Sequence, residues 1–349
     1  MMNIDEIFMF LAKAGSAAPS ADNMQPWSFN LDEHDFVLRY DSSRFPNAIF
    51  PQDHHATRMA MGAVIENLRQ ATSQLGLSVD FQNKKTDAMS NEFCRFPLLT
   101  TLKVDMPKVA ALYERHTNRL PYRKDALSAP VVSQLAASRQ GEARIIVTDS
   151  VSGIERIGDF VKTASKIRFQ TKEIHEWFSQ SLRFGPEAVR IGNGLDVATF
   201  DLPPGGKLLL KAITSSWGAM SAFNRIGGYH IMAATEAMSI TKAGAILAIV
   251  APVDAAGAID SGSLMQRIWL SLNMQGYAVQ PYYVVSDQLT RLASGQLSAK
   301  DATTIGVLKN EVMKEFDLPD GSSLGMLLRV GVPQRVPKRS LRLPTPPIP

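Results

Sequence analysis

The sequence predicts an α+β fold built from two related halves in one chain. Three observations predict it. A strand pair, Ser28 to Leu31 and Phe36 to Tyr40, follows a first amphipathic helix. A long helix opened by Asp53 carries Met61, Val64, Ile65, Leu68 and Leu75 on one face and closes at Gly76. The stretch Met61 to Val79 then reappears, ungapped and at an offset of 200 residues, as Ser261 to Val279.

The first helix is capped by Asn3 or Asp5, presents Ile4, Ile7, Phe8 and Leu11 as one stripe, and ends near Gly15. The segment from Ala18 to Trp27 has two prolines among Ser, Asp and Asn, which makes it a turn-rich loop. In the repeat, Gly62, Gly76 and Val79 align with Gly262, Gly276 and Val279. Val64, Ile65 and Leu68 align with Leu264, Met265 and Ile268. Leu98 to Val104 and Met326 to Val332 both read as strands followed by proline. One supersecondary unit used twice implies a pseudo-twofold core, like a homodimer fused end to end. The other reading is two unrelated amphipathic helices that share a terminal glycine.

Between the copies, Val151 to Phe184 has helical spacing. Gly185 to Gly206 is rich in Gly and Pro and reads as an irregular loop of the kind that serves as a lid. Pro337 to Pro349 holds five prolines and reads as an extended surface arm. The expected organisation is a first half over 1–108, a second half over 109–336 with the lid around 185–206, and the arm over 337–349.

Composition narrows the function classes. The 349 residues are 45% hydrophobic and 20% charged, ordinary for a globular chain. Net charge is +4 and the pI about 9.1. The basic residues are scattered, the densest group being Arg335, Lys338, Arg339 and Arg342, and no basic run interleaves with aromatics, so nucleic acid is not an expected partner. The longest apolar stretch, Ala243 to Val253, is too short for a membrane span, and the opening MMNIDEIF lacks a basic leader. A single cysteine, Cys94, reads as a small buried hydrophobe and fits a reducing compartment. These features predict a cytoplasmic protein.

Signatures of several chemistries are missing. There is no Walker A loop, no Gly-x-Gly-x-x-Gly after a strand and no Gly-x-Ser-x-Gly elbow. His54 and His55 are adjacent and diverge on a helix, and His34, His116, His175 and His230 have no ligand spacing, so no metal is expected.

Two motifs remain. Pro19-Ser20-Ala21-Asp22-Asn23-Met24-Gln25-Pro26-Trp27 gathers backbone N–H groups, a hydroxyl and carboxamides in a small space, equipment for the edge of a planar heterocycle. It also suits a rigid helix-to-strand turn with Trp27 in the core. Arg115-His116-Thr117-Asn118-Arg119 sets two guanidinium groups four apart around a hydroxyl, which suits a doubly charged phosphate or a solvated helix end.

Taken with the repeated helix, these motifs resemble the nitroreductase-like flavoproteins, specifically the branch in which both halves of the usual dimer are fused, which includes the mycobacterial Acg-type proteins. The resemblance covers most of the chain. Gly262 to Pro281, ending GYAVQP, and LRVGVP at Leu328 to Pro333 match the core helix with its following loop and the terminal strand. It implies central, mostly antiparallel sheets flanked by helices, and a bound FMN. Arg115 and Arg119 would hold the phosphate and ribityl end, with Thr117 at the pyrimidine side. Pro19, Ser20 and Asn23, with Gln25 in the same loop, would line the isoalloxazine from the other half. Pro281 and Tyr282 would bring backbone groups to N5, and Arg335 or Arg339 would close over the phosphate. No side chain is implied as catalytic, because the flavin N5 carries the chemistry.

Each motif occurs once, so one composite site is expected, in a monomeric pseudo-dimer or a homodimer. The implied activity is two-electron transfer between NAD(P)H and a small organic acceptor such as a nitroaromatic or quinone, or a related tailoring oxidation. The alternative is a non-catalytic protein of the same fold that sequesters flavin or another small molecule beneath its lid. A flavin-consuming, benzimidazole-forming activity shares only the Pro-Ser and Gln-Pro-Trp loop.

Overall fold

The computed structural model describes residues 1–44, 49–81, 91–104, 106–107 and 109–344. The last five residues of the expected arm lie outside the described residues. In chain order, α1 (Ile4–Ser16) leads through the 18–26 loop to β1 (Trp27–Asp32), β2 (Asp35–Tyr40), α2 (His55–Gln74) and β3 (Glu92–Pro97). α3 (Ala129–Ala137) and β4 (Ala143–Thr148) follow. Next come α4 (Val151–Arg168), α5 (Lys172–Ser181), α6 (Gly206–Ile213), α7 (Trp217–Arg225) and α8 (Gly228–Ile240). The chain then forms β5 (Ala245–Pro252), α9 (Ala255–Met274), β6 (Ala278–Tyr282), α10 (Val284–Ala293), α11 (Ala299–Glu315) and β7 (Ser322–Gly331).

The fold is α+β with antiparallel main sheets. One sheet has the order β1-β2-β3. The other has the order β6-β7-β5-β4 with Arg139–Gln140 on its edge. A short parallel pair, Leu182–Arg183 with Leu195–Asp196, lies apart. The segment β4-β5-β7 repeats the neighbour order of β1-β2-β3. The difference is the connection: Glu33 and His34 turn β1 into β2, whereas residues 149–244 separate β4 from β5.

The repeated segments are α2 and α9, and they cross at their shared glycines. A Cβ on Gly62 would overlap the carbonyl oxygen of Ile259, and one on Gly262 would overlap that of Met59. These two contacts exchange under the 200-residue offset. So do the polar ones: Arg267 bonds Glu66 at 2.9 Å, while Gln266 donates to Asn67 Oδ1 at 2.6 Å. Both helices end alike. Gly76 and Gly276 have φ +71 and +82, a conformation that glycine adopts without a Cβ penalty. The amides of Leu77 and Tyr277 reach back to Thr72 and Leu272 at 2.9 Å each.

The helix pair packs with α1, the first sheet and the inner face of the second (Leu247, Ile249, Leu328, Val330) into the main core. The outer face of β5 (Ile246, Ala248, Val250) packs on α4, α10 and α11 in a second cluster. This explains the unbroken apolar run of β5, buried on both faces; each such large side chain contributes roughly 1.5–3 kcal/mol. The helices of the insertion between β4 and β5, residues 149–244, enclose a smaller cluster around Leu182, Leu210 and Met220.

Several sequence expectations need correction. Asn3, not Asp5, caps α1, in a capping box with Glu6. His54, not Asp53, caps α2, its Nδ1 accepting from the Ala56 amide. The strand before Pro97 is Glu92–Pro97, and only Thr101–Leu102 of the expected 98–104 strand pairs, with Met2–Asn3. The apolar run after Pro97 misled because Leu99 is solvent-exposed. The 185–206 segment is less irregular than expected: it holds a short helix, Pro186–Arg190, and the strand Leu195–Asp196.

Candidate functional site

The Pro19–Trp27 loop folds under backbone strain. Asp22, Asn23 and Gln25 all take positive φ, at 47, 58 and 55 degrees. Such residues cost of order 1–3 kcal/mol each and persist only where surroundings over-determine them. Here Ser20 Oγ accepts the Gln25 amide at 2.8 Å, and Trp27, 1% exposed, anchors the exit in the core. Asp22 Oδ2 accepts from the Trp177 indole at 2.8 Å. Burial pushes the Asp22 carboxyl above its usual range, although Trp177, Arg168 and Arg119 all favour its charged form.

The Arg115–Arg119 segment lies against α9 and β6. The Trp269 indole donates to His116 O, and Asn118 N donates to Val279 O. Arg115 is buried, lies 4.5 Å over the Trp269 ring and donates to Ala17 O at 3.2 Å, which joins this segment to the start of the loop. Its Nε has no partner. Arg119 is half-buried, donates to Thr199 Oγ1 at 3.2 Å and lies over the Phe200 ring. Thr117 is half-buried between them.

A third guanidinium joins these two. Arg342 donates to Asn23 Oδ1 and also to Ala17 O, the same carbonyl that Arg115 uses. None of the three pairs with a carboxylate among the described residues; Asp22 favours the charge of Arg119 only through space. Burial, then the neighbouring Arg342, holds the Arg115 guanidinium well below its usual range. Burial also lowers Arg119, and it lowers Arg342 to about 10. Nearby, fully buried Arg329 lies 3.6 Å over the Tyr122 ring and donates to Gln280 Oε1. Cations gathered in low dielectric with no carboxylate bonded to them suit an anion.

The structure therefore brings the loop of Ser20, Asn23 and Gln25 to Arg115, through Ala17 O and Arg342, and sets Asp22 within electrostatic reach of Arg119; Pro19 belongs to the same loop and Thr117 to the segment between the two arginines. Pro281 and Tyr282 lie in β6, paired with Leu328 and Leu327. The Tyr282 phenol interacts with Arg119, and burial pushes it up to about 12. Arg335 and Arg339 do not reach the cluster. Arg335 pairs with Asp201 at the surface and Arg339 is exposed, whereas Arg342 lies beside Arg115, sharing Ala17 O with it.

The other end of the site is filled by the chain itself. Asn23 Nδ2 donates to Gly194 O at 3.1 Å and Leu341 O at 3.0 Å. Gln25 Nε2 donates to Gly192 O at 2.9 Å, and Gln25 Oε1 accepts the Leu343 amide at 3.0 Å. The cavity beside the loop, lined by Ser20, Met24, Tyr40, Phe50, Thr57 and Trp177, measures about 20 Å³, room for one or two waters. The donor set thus fits the phosphate of an FMN. The carboxamides that would face its ring are engaged by residues 192–194 of the insertion and 341–343 of the arm.

Sequence reasoning missed Arg342, Thr199, Phe200 and the Asp22–Trp177 bond. Arg342 belonged to the densest basic group, but spacing alone does not say which of four cations turns inward. Asp22 and Trp177 are 155 positions apart, and no local pattern links them.

No protein-family model matches the chain. It is 27% identical over 288 residues, 78% of its length, to "Uncharacterized protein MT1398" of Mycobacterium tuberculosis (strain CDC 1551 / Oshkosh), and spans 38% of that relative's length. Among solved structures it is similar to an FMN-dependent nitroreductase from Clostridium difficile R20291, with 15% identity, TM-score 0.33 and coverage of 65% of this chain and 90% of the other. The nitroreductase NfnB from Mycobacterium smegmatis, solved with NADPH, gives 15% identity, TM-score 0.36 and coverage of 64% and 86%. A BluB-like flavoprotein from Clostridium difficile 630 gives 12% identity, TM-score 0.35 and coverage of 67% and 93%. No helix among the described residues is long and apolar enough to cross a membrane, and the described residues hold no metal-ligand cluster.

Proposed function

We propose that this chain is a nitroreductase-like flavoprotein with one composite FMN site, and that it acts as an oxidoreductase between NAD(P)H and a small organic acceptor such as a nitroaromatic or quinone. The observation that carries this reading is the pair Arg115 and Arg119, drawn in beside a strained loop with no carboxylate bonded to either. The two halves, residues 1–108 and 109–336, are read as a fused pseudo-dimer. The exchange of contacts between α2 and α9 under the 200-residue offset supports that division. In this reading the loop comes from the first half and the Arg115–Arg119 segment from the second, and the pair is not duplicated, so the site is single.

The bound flavin would supply two-electron chemistry. The chain's own part is to neutralise the phosphate with Arg115 and Arg119. It would orient the ring with the carboxamides of Asn23 and Gln25, and Asp22 would sit close by as a buried carboxyl. Pro19, Ser20, Thr117, Pro281 and Tyr282 would complete the lining. Purified protein, soaked in FMN and freed of excess, should show a flavin absorbance band that bleaches with NAD(P)H. Arg115→Ala with Arg119→Ala should weaken FMN binding at least about 10-fold, one charge-assisted hydrogen bond being worth roughly 1.5–3 kcal/mol. Retention of FMN unchanged by that double substitution would refute the phosphate assignment.

One observation favours a second reading, a sequestering protein without turnover. The groups that would face the ring are bonded to the insertion and the arm. A flavin band that forms but does not bleach with NADH or NADPH would select it.

A further inference from the structure

We infer that the C-terminal arm is an autoinhibitory strap that holds this site shut. The inference deepens the reading above and rests on it only for the identity of the ligand. After β7, Gln334 bonds the backbone of Pro121 and Tyr122, which starts the arm along the Arg115–Arg119 side of the site. Arg335 then pairs with Asp201 at 3.2 Å. Lys338 sits 2.7 Å from Asp196 Oδ2, close enough for an ion pair although not aligned as a hydrogen bond. Both acids belong to the insertion, so the arm is tied down along the segment that covers the loop.

Its next residues enter the site. Leu341 offers its carbonyl to Asn23, and Leu343 offers its amide to Gln25. A carbonyl and the amide two residues on point to the same side of an extended chain, as on a strand edge. The loop carboxamides therefore grip the arm as they would grip the alternating acceptors and donors of a heterocycle edge. Between them, Arg342 occupies the remaining acceptors, Asn23 Oδ1 and Ala17 O. Gly192 makes the close approach possible: a Cβ there would overlap the Arg342 carbonyl.

This arrangement has the marks of a device that competes with a ligand. The strap satisfies the polar groups of a strained loop, and two of its anchors, Arg335–Asp201 and Lys338–Asp196, are ion pairs with exposed cations that can exchange with water. It adds a cation beside Arg115, which no carboxylate pairs, so an arriving phosphate relieves what the strap leaves uncompensated.

The test uses two variants of the full protein. One ends at Pro337. The other is Lys338→Glu, which keeps the length and sets a carboxylate against Asp196. The first readout needs no flavin: the rate at which phenylglyoxal modifies Arg115 and Arg119, followed by peptide mass spectrometry. The second is the association rate of FMN, followed by quenching of its fluorescence. Both rates should rise in both variants, by about 10-fold if the closed state holds some nine-tenths of the population. Equal modification in the intact chain, the truncation and Lys338→Glu overturns the strap. Faster modification without FMN uptake upholds the strap and refutes the FMN reading. If the truncated chain fails to fold, Lys338→Glu alone decides.

Discussion

The crossing of α2 and α9 and the loop site both bury charge, but they treat it in opposite ways. At the crossing, Glu66 is fully buried and is met by Arg69 at 2.6 Å and Arg267 at 2.9 Å. Gln70 adds a hydrogen bond. At the loop, Arg115 is buried with one carbonyl and one indole face for company, and Arg119 and Arg342 lack carboxylates as well. Removing one partner of a buried pair costs about 3–5 kcal/mol because it strands the other charge. The crossing is therefore arranged for stability, and the loop site keeps an electrostatic deficit that a bound anion would remove.

The largest effects are expected at the crossing. Gly62→Ala and Gly262→Ala each drive a methyl group into backbone of the opposite helix, and backbone has no rotamer to yield. Each should destabilise the fold by about 3 kcal/mol or more, at or beyond the upper range for overpacking. Thermal unfolding of both variants tests the pseudo-twofold directly. Similar losses sharpen the correspondence of the halves, and a large loss at one glycine with none at the other would break it. Arg267→Met comes next. It leaves Glu66 with Arg69 and Gln70, so a loss of roughly 2 kcal/mol is expected in denaturant unfolding, below the cost of complete unpairing.

Much of this arrangement was legible in the sequence, for reasons specific to each part. The helix pair announced itself because Gly62 and Gly262 are required by a close approach and Gly76 and Gly276 by positive φ. Sequence records such steric demands as residue type. The loop and the Arg115–Arg119 segment were visible as composition. Their filling was not, because the partners of Asn23 and Gln25 are backbone carbonyls and an amide at positions 192, 194, 341 and 343, which any side chain would provide. The 98–104 strand failed for the opposite reason: the apolar pattern was present, but the ladder is formed by Glu92–Pro97.

A pH series probes the region between the two. His54 caps α2 through an Nδ1 that must be unprotonated to accept the Ala56 amide at 3.1 Å. Burial, then the charge of Arg291, lowers its pKa from 6.5 to about 4. A base with a depressed folded pKa contributes stability that is present above its unfolded value and lost as pH falls toward the folded one. Stability should therefore fall between about pH 6.5 and 4, by up to roughly 1.4 kcal/mol per pH unit for this group. His54→Asn keeps an N-cap acceptor and removes the titration, so its melting temperature should vary less steeply with pH than that of the parent. Equal slopes would place the acid sensitivity elsewhere, with His55 the next group to test, since burial lowers it similarly.

The smallest change in stability is expected where the change in binding is greatest. Arg115→Met preserves a long, polarisable side chain over the Trp269 ring and removes a cation that no carboxylate balances. It forfeits one bond to Ala17 O, which still accepts from Arg342. The lost bond costs of order 1 kcal/mol and removal of the unpaired buried charge offsets it, so the melting temperature without ligand should stay near that of the parent or rise, while FMN binding weakens. A substitution at the crossing cannot behave in this way, because the buried carboxylate there is met by two guanidinium groups. A marked fall in the melting temperature of Arg115→Met would mean that this guanidinium stabilises the fold as Arg267 does, and the contrast between the two regions would collapse.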